Sequence, residues 1–101
     1  MISLYFVYIL NKVEEEFVFK QSAFKHNIVE TDICNAFKRR LFDCVLPGEE
    51  HKNLLLGLAC DGSLLEIIYN VIDDDVINVF HAMKCRKAYH VLLKTRGIEN
   101  D

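Results

Sequence analysis

Basic residues and a histidine lie close together in the segment VINVFHAMKCRKAYHVLLK, residues 76–94. His81 ends a β-branched run, and Lys84, Arg86 and Lys87 follow it where a helix is expected to begin. A helix N-terminus carries unsatisfied N–H groups and a partial positive charge, so acidic residues are favoured in its first turn. Cations there add to the dipole instead of opposing it. Such a helix start is well suited to binding an anion such as a phosphate.

Plainer interpretations of these residues stay open. Long basic side chains can extend into solvent while the helix is stabilised by its buried face. His81 shares strand parity with Ile77 and Val79, so it could equally be a hydrogen-bonded histidine at the end of the core. The pair Lys25-His26, at the expected end of a short helix, is a weaker signal, because histidine is common at helix termini.

Several other classes of site lack their sequence signatures. The chain has no Gly-rich phosphate loop, no G-x-S-x-G nucleophile elbow and no paired acids at helical spacing, which removes most nucleotide-dependent and acyl-transfer enzymes. A zinc site from His81, Cys85 and His90 does not match a structural zinc signature. The acids at 73–75 are neighbours on a turn, and such side chains rarely converge on one ion. We therefore expect no metal and no cofactor.

Composition limits the class of protein and its compartment. At 101 residues the chain is long enough for one domain, residues 1–101, with a single core. The net charge of −3 argues against a protein that coats nucleic acid nonspecifically. Four cysteines without a CxxC pair are expected to be reduced, mostly buried residues of a cytoplasmic protein. The apolar start, MISLYFVYIL, is too short to span a bilayer and favours a strand, so no membrane association is expected.

Periodicity predicts an α+β fold with two N-terminal helices, an antiparallel β-meander of three or four strands and a C-terminal helix. The helices are predicted over residues 21–27, from about 31 to 43 and from about 83 to 94. The strands are expected on either side of Asp61-Gly62, a strong hairpin signal because a type I′ turn needs positive φ, and over residues 76–81. The last helix has a predicted core stripe of Cys85, Ala88, Tyr89 and Leu92.

Three segments, taken in order, are similar to one known family. FVFKQSAFKHNIVETDI leads from an aromatic strand to a helix ending in Lys-His and then to a second helix. LLLGLACDGSLLEIIYNV is a hairpin with a Gly in its first strand, and INVFHAMKCRKAYHVLL combines an apolar strand with an Arg-Lys pair and a Tyr. Over about Phe17 to Leu93 this layout resembles the BrnT-type toxins. Those are small proteins of the RelE/ParE-like ribonuclease superfamily that are encoded beside a DNA-binding antitoxin.

The resemblance implies a metal-independent ribonuclease in which a ribose 2′-hydroxyl attacks its neighbouring phosphate. This reaction needs a base, a proton for the leaving oxygen and positive charge on the developing phosphorane. The candidate catalytic residues are His81 or His26 for proton transfer and Arg86 for the phosphate. The candidate residues for binding RNA or phosphate are Lys25, Lys84, Lys87 and Tyr89. The stripe that contains Tyr89 favours core packing over base stacking or proton donation.

The resemblance also implies a cognate antitoxin as partner and RNA as substrate, and the apolar N-terminal strand is compatible with a homodimer. The alternative is a non-catalytic protein-binding module whose basic C-terminal helix docks an acidic partner, which the negative net charge favours. A third is a role in autoregulation of transcription through the antitoxin. One structural expectation separates the first two: a ribonuclease requires His26, His81 and Arg86 to converge on one open face.

Overall fold

A computed structural model describes the backbone of residues 2–10 and 13–95 and the side chains of residues 16–94. Its elements are, in chain order, β1 (Ile2–Leu10), β2 (Val13–Lys20), a 3-10 helix (Gln21–Phe24), α1 (Glu30–Lys38), β3 (Arg40–Leu46), β4 (Glu49–Leu58), β5 (Leu64–Ile72), β6 (Val76–Lys84) and α2 (Lys87–Thr95). The six described strands form one mixed sheet in the order β1-β2-β6-β5-β4-β3. The predicted α+β class is confirmed, but the expected antiparallel meander of three or four strands is wrong, because β2 pairs parallel to β6 and extends the sheet.

The N-terminal helices are shorter than predicted. The first is a 3-10 helix, Gln21–Phe24, and the chain leaves helical geometry at Asn27, whose φ is +64°. The second, α1, ends at Lys38, because the chain from Arg40 onward pairs with β4 as strand β3. Leu41 follows Phe37 by four residues, a spacing that also suits one face of a helix. Leu41 lies in β3 at a register shift and packs on the other side of the sheet.

The C-terminal helix begins later than predicted. Strand β6 continues through Lys84, and α2 begins at Lys87, so Arg86 lies in the short link between them. Tyr89 and Leu92 of the predicted core stripe pack against the sheet, and Cys85 joins them from the link. Ala88 is exposed, and the buried residue of this helix is Leu93 instead.

The hairpin turns differ in conformation from the predicted type I′ turn. Asp61-Gly62 does connect two antiparallel strands, but within the loop 59–63, where Gly62 has a φ of +90° and Asp61 does not have a positive φ. Between β3 and β4, Gly48 has a φ of +85° after Pro47, as in a type II turn. Consecutive positive φ angles of +41° and +69° occur instead at Asp73 and Asp74, between β5 and β6.

The N-terminal strand pairs within its own chain. β1 runs antiparallel to β2, with Ile2 opposite Lys20. β2 in turn runs parallel to β6, and this pairing ends at Phe19–Val79. Beyond Val79 the 3-10 helix continues along this edge of β6, where the hydroxyl of Ser22 donates to the carbonyl of Phe80 at 2.6 Å. The chain after the 3-10 helix is therefore held beside the second half of β6.

Helices pack on both faces of the sheet, because side chains alternate along each strand. The α1 face carries the larger core, which includes Phe17, Phe19, Ile33, Phe37, Leu55, Ile67 and Val79. The α2 face carries a smaller core of Phe42, Leu46, Leu54, Leu56 and Leu93. In the described part of the chain, no helix is both long and apolar enough to span a bilayer.

The four cysteines are in the thiol form, but the expectation that most are buried is wrong. Cys34 is buried in the larger core, Cys44 and Cys85 are half-buried, and Cys60 is exposed. Burial raises the pKa of the Cys85 thiol to about 11, so this thiol is protonated at neutral pH.

Gly57 marks the closest approach of α1 to the sheet. A Cβ atom built on Gly57 would lie 2.1 Å from the carbonyl oxygen of Ala36, which is backbone and cannot rotate away. Moving α1 outward would separate Ile33 and Phe37 from the core that they fill. Glycine is therefore required in β4 at this position for packing and not for a positive φ.

We expect Gly57→Ala to lower the free energy of unfolding by about 3 kcal/mol, because overpacking displaces α1 from the sheet. Urea denaturation followed by circular dichroism measures this change. The control is Val45→Thr, an exposed position on β3, which should stay within about 0.5 kcal/mol of the wild type. Equal midpoints for Gly57→Ala and the wild type would contradict the close approach.

Candidate active site

A buried carboxylate on β5 organises the region around the start of α2. Glu66 is 0% exposed. Its Oε1 accepts hydrogen bonds from the backbone N–H and the Nε–H of Arg86, at 3.0 and 3.1 Å. Its Oε2 accepts from Arg86 Nη2 at 2.7 Å and lies 2.9 Å from His81 Nε2. Two of the three candidate catalytic side chains are therefore held by one carboxylate.

The anion at the start of α2 is thus the protein's own Glu66. The N–H group of Arg86 that the sequence pattern assigned to a bound anion donates to this carboxylate. The guanidinium still has capacity, since it carries five N–H donors and the bonds to Glu66 use two, which leaves three. The Arg86 side chain is 54% exposed, so these donors can reach a ligand from solvent.

A β-bulge determines which way His81 points. Tyr69 pairs with Val79 but Ile68 pairs with His81, so β6 carries one extra residue, Phe80, at this point. The extra residue shifts the alternation of side chains along the strand. His81 therefore faces the α2 side with Ile68, and its expected parity with Val79 in the core is wrong.

The contact with Glu66 determines the tautomer of His81. A carboxylate only accepts hydrogen bonds, so a proton lies on Nε2, and in the neutral form of the ring Nδ1 is the acceptor nitrogen. The ring of His26 lies edge-to-face against that of His81, with 5.5 Å between centroids. His26 reaches this position because the 3-10 helix holds its segment beside β6. His26 therefore contacts His81, and His81 and Arg86 share the carboxylate of Glu66.

The surroundings of Glu66 and Arg86 favour the charged form of both side chains. Burial by itself would raise the pKa of the Glu66 carboxyl, but the hydrogen bonds from Arg86 and His81 outweigh it and hold that pKa below its usual value. The hydrogen bonds and the charge of Glu66 raise the pKa of the Arg86 guanidinium further. Glu66 is therefore a carboxylate at neutral pH and cannot supply a proton.

The structure brings some of the other candidate residues to this site and separates one from it. Exposed Lys87 is the first residue of α2, next to Arg86. The ring of Tyr89 packs on the α2-face core with its centroid 5.5 Å from Arg86 Cζ, so it supports the guanidinium from one side. Lys84, in contrast, pairs with Leu65 and belongs to the α1 face.

Lys25 lies at the edge of this region. It is exposed, and among the described residues it lines an open cleft of about 510 Å³ with Gln21, Ser22 and Phe24. Because Lys25 precedes His26 directly, it is available to a ligand that extends from the histidine pair along the 3-10 helix.

Glu66 is the residue of this site that the sequence pattern did not identify. Its signal was present in LLEIIYNV, where one acid interrupts a mostly apolar strand. A solvent-facing side chain is the usual explanation for such a residue. Recognising burial instead would have required knowing that Arg86, 20 positions later, returns to the same place.

Comparisons with protein-family models, with curated protein sequences and with solved structures gave no match. Among the described residues, no group of three or more His, Cys, Asp or Glu side chains is placed to hold a metal ion.

We expect Glu66→Gln to lower the free energy of unfolding by about 2 kcal/mol at pH 7, because a neutral amide replaces a charged acceptor of several hydrogen bonds. The depressed pKa of Glu66 means that its contribution is complete above the unfolded-state value of about 4.3 and is lost as the pH falls through the lower folded-state value. The difference between wild type and variant should therefore shrink below about pH 4.

Urea denaturation of both proteins between about pH 7 and pH 3 measures this dependence. The matched control is Glu50→Gln, an exposed carboxylate on β4, which should leave the unfolding midpoint nearly unchanged. A difference between the wild type and Glu66→Gln that is constant across this pH range would contradict the assignment of a buried, ionised Glu66.

Proposed function

We propose that this protein is a metal-independent ribonuclease and the toxin component of a toxin–antitoxin module, similar to the BrnT-type toxins of the RelE/ParE-like superfamily. The observation that carries the proposal is the convergence of His26, His81 and Arg86 around the buried Glu66. A pair of histidines beside an exposed guanidinium provides the groups that this reaction needs, without a cofactor.

In the proposed reaction the 2′-oxygen of a ribose attacks the adjacent phosphorus, forming an O2′–P bond and breaking the P–O5′ bond. One histidine removes the 2′-hydroxyl proton and the other protonates the departing 5′-oxygen. His81 has its Nδ1 available as the acceptor, since Nε2–H is held by Glu66. The remaining N–H groups of Arg86 bind the phosphate oxygens as negative charge develops. The products are a 2′,3′-cyclic phosphate and a 5′-hydroxyl.

The order of elements supports the family likeness. The first similar segment covers the end of β2, the 3-10 helix and the start of α1, and the second covers the β4–β5 hairpin. The third covers β6, the link and α2. The glycine of the hairpin motif is Gly57, at which α1 touches the sheet. Each of the three segments therefore forms a part of the fold that either builds or supports the site.

The first test is cleavage of total cellular RNA by the purified protein in EDTA. We expect the wild type to produce fragments ending in 2′,3′-cyclic phosphate. His81→Asn and His26→Asn should each reduce the rate about 100-fold or more, the usual scale for a general acid or base. Arg86→Lys should reduce it by a similar factor, because an ammonium lacks the planar fork. Gel analysis measures the cleavage rate, and mass spectrometry of the fragments identifies their ends.

Two matched controls sharpen this test. His90→Asn changes an exposed histidine of α2 and should leave the rate unchanged. Lys84→Ala changes a residue on the α1 face and should also leave the cleavage rate nearly unchanged. Lys87→Ala, at the start of α2, should lower that rate. Circular dichroism shows whether each variant is folded. Absence of cleavage by a folded wild-type protein, or equal cleavage by His81→Asn, would contradict the proposed activity.

A protein-binding role is the second candidate, and one observation favours it. The outer face of α2 exposes three basic side chains, Lys87, His90 and Lys94, around Val91, which is 54% exposed. An apolar centre flanked by cations fits an acidic, amphipathic segment of a partner such as an antitoxin. In this version the domain catalyses nothing.

A further inference from the structure

The aromatic residue Phe80 is partly exposed and directly precedes His81 in the chain. Phe80 is the extra residue of the bulge in β6, immediately before His81 in the chain. The ammonium group of Lys52 lies 4.6 Å from the centre of the Phe80 ring, and that of Lys20 lies 5.7 Å from it. An aromatic ring between two cations is thus adjacent to the candidate catalytic group.

Strand register places these residues on the same side of the sheet as the site. Val18 pairs with Asn78 and Asn78 pairs with Asn70, so one row of the α2 face crosses β2, β6 and β5. Lys20 on β2 has the parity of Val18 and therefore belongs to this face. On β4, Lys52 has the parity of Leu54, which lies in the α2-face core.

We propose that Phe80 is a stacking platform for a nucleobase of single-stranded RNA, with Lys20 and Lys52 binding the phosphates on either side. This inference rests on the proposed function, since it extends the same surface to the nucleotide next to the cleaved bond. Single-stranded nucleic acid is recognised in this way, by aromatic rings that stack bases and by cations that follow the backbone. The stacked base positions the strand for the groups at His26, His81 and Arg86.

The cations already near the ring do not prevent stacking. Lys52 also forms an ion pair with Glu49 at 3.2 Å, and that carboxylate is 52% exposed. Such exposed ion pairs and cation–π contacts are weak and easily exchanged for contacts to a ligand. When a base occupies the ring, each ammonium can turn to a phosphate on a flexible four-carbon stem.

The test measures binding of an uncleavable strand, so that it does not depend on catalysis. The probe is a fluorescein-labelled 2′-O-methyl oligoadenylate, whose 2′-oxygens cannot attack the phosphates. The comparison strand has the same 2′-O-methyl backbone but carries abasic residues, so it offers phosphates without bases. Fluorescence anisotropy gives the dissociation constants for the wild type, Phe80→Leu, which keeps an apolar side chain, and Val71→Leu, an exposed matched control on β5.

We expect Phe80→Leu to weaken binding of the oligoadenylate about tenfold and to leave binding of the abasic strand unchanged. Lys52→Gln should weaken binding of both strands. It should also reduce the steepness of log association constant against log salt concentration by about 0.7. The stacking platform would be overturned if Phe80→Leu bound the oligoadenylate as tightly as the wild type does. It would also be overturned if Phe80→Leu weakened binding of the oligoadenylate and of the abasic strand by the same factor. Binding that depends on Phe80 without any RNA cleavage would support the platform and contradict the proposed catalysis.

Discussion

The carboxylate of Glu66 joins its own strand to two residues that lie 15 and 20 positions later in the chain. It extends from β5, holds His81 of β6 and holds both the backbone and the guanidinium of Arg86 before α2. Removing a carboxylate from water costs several kcal/mol, and a buried ion pair is seldom more stabilising than apolar side chains of the same size. Its physical contribution is therefore positional. With Glu66 in place, the histidine tautomer and the direction of the guanidinium are both determined.

Two irregularities in the sheet give this arrangement its shape. Pairing between β2 and β6 ends at Val79, so the rest of β6 is bordered by the 3-10 helix and His26 can reach His81. The bulge at Phe80 turns His81 from the core to the α2 face. A regular strand would have buried His81 behind α1. Both departures from regular pairing occur at the place where the proposed chemistry needs a side chain redirected, as is common for bulges near active sites.

The negative net charge of the chain does not describe the charge at the site. The acidic turn at 73–75 connects β5 to β6 at one end, and His81 lies toward the other end of β6. His81 lies six positions after Asp75 along an extended strand, a distance of about 20 Å. Salt screens exposed charges over about 8 Å at physiological ionic strength, so those acids have little influence on an anion bound at Arg86. A locally basic surface is therefore compatible with an acidic protein.

The amino-acid sequence by itself determined the α+β class, the hairpin around Gly62, the strand that leads to His81 and the basic start of α2. These features depend on short-range periodicity and turn residues, which act within a few positions of the chain. It did not determine strand β3, because an apolar spacing of four also suits a helix, and Leu41 continued the stripe of Phe37. Nor did it determine the roles of Glu66 and Phe80. The burial of Glu66 depends on Arg86, and the direction of His81 depends on one extra residue in a strand pairing. Such pairings join positions distant in the chain, so only the tertiary structure decided them.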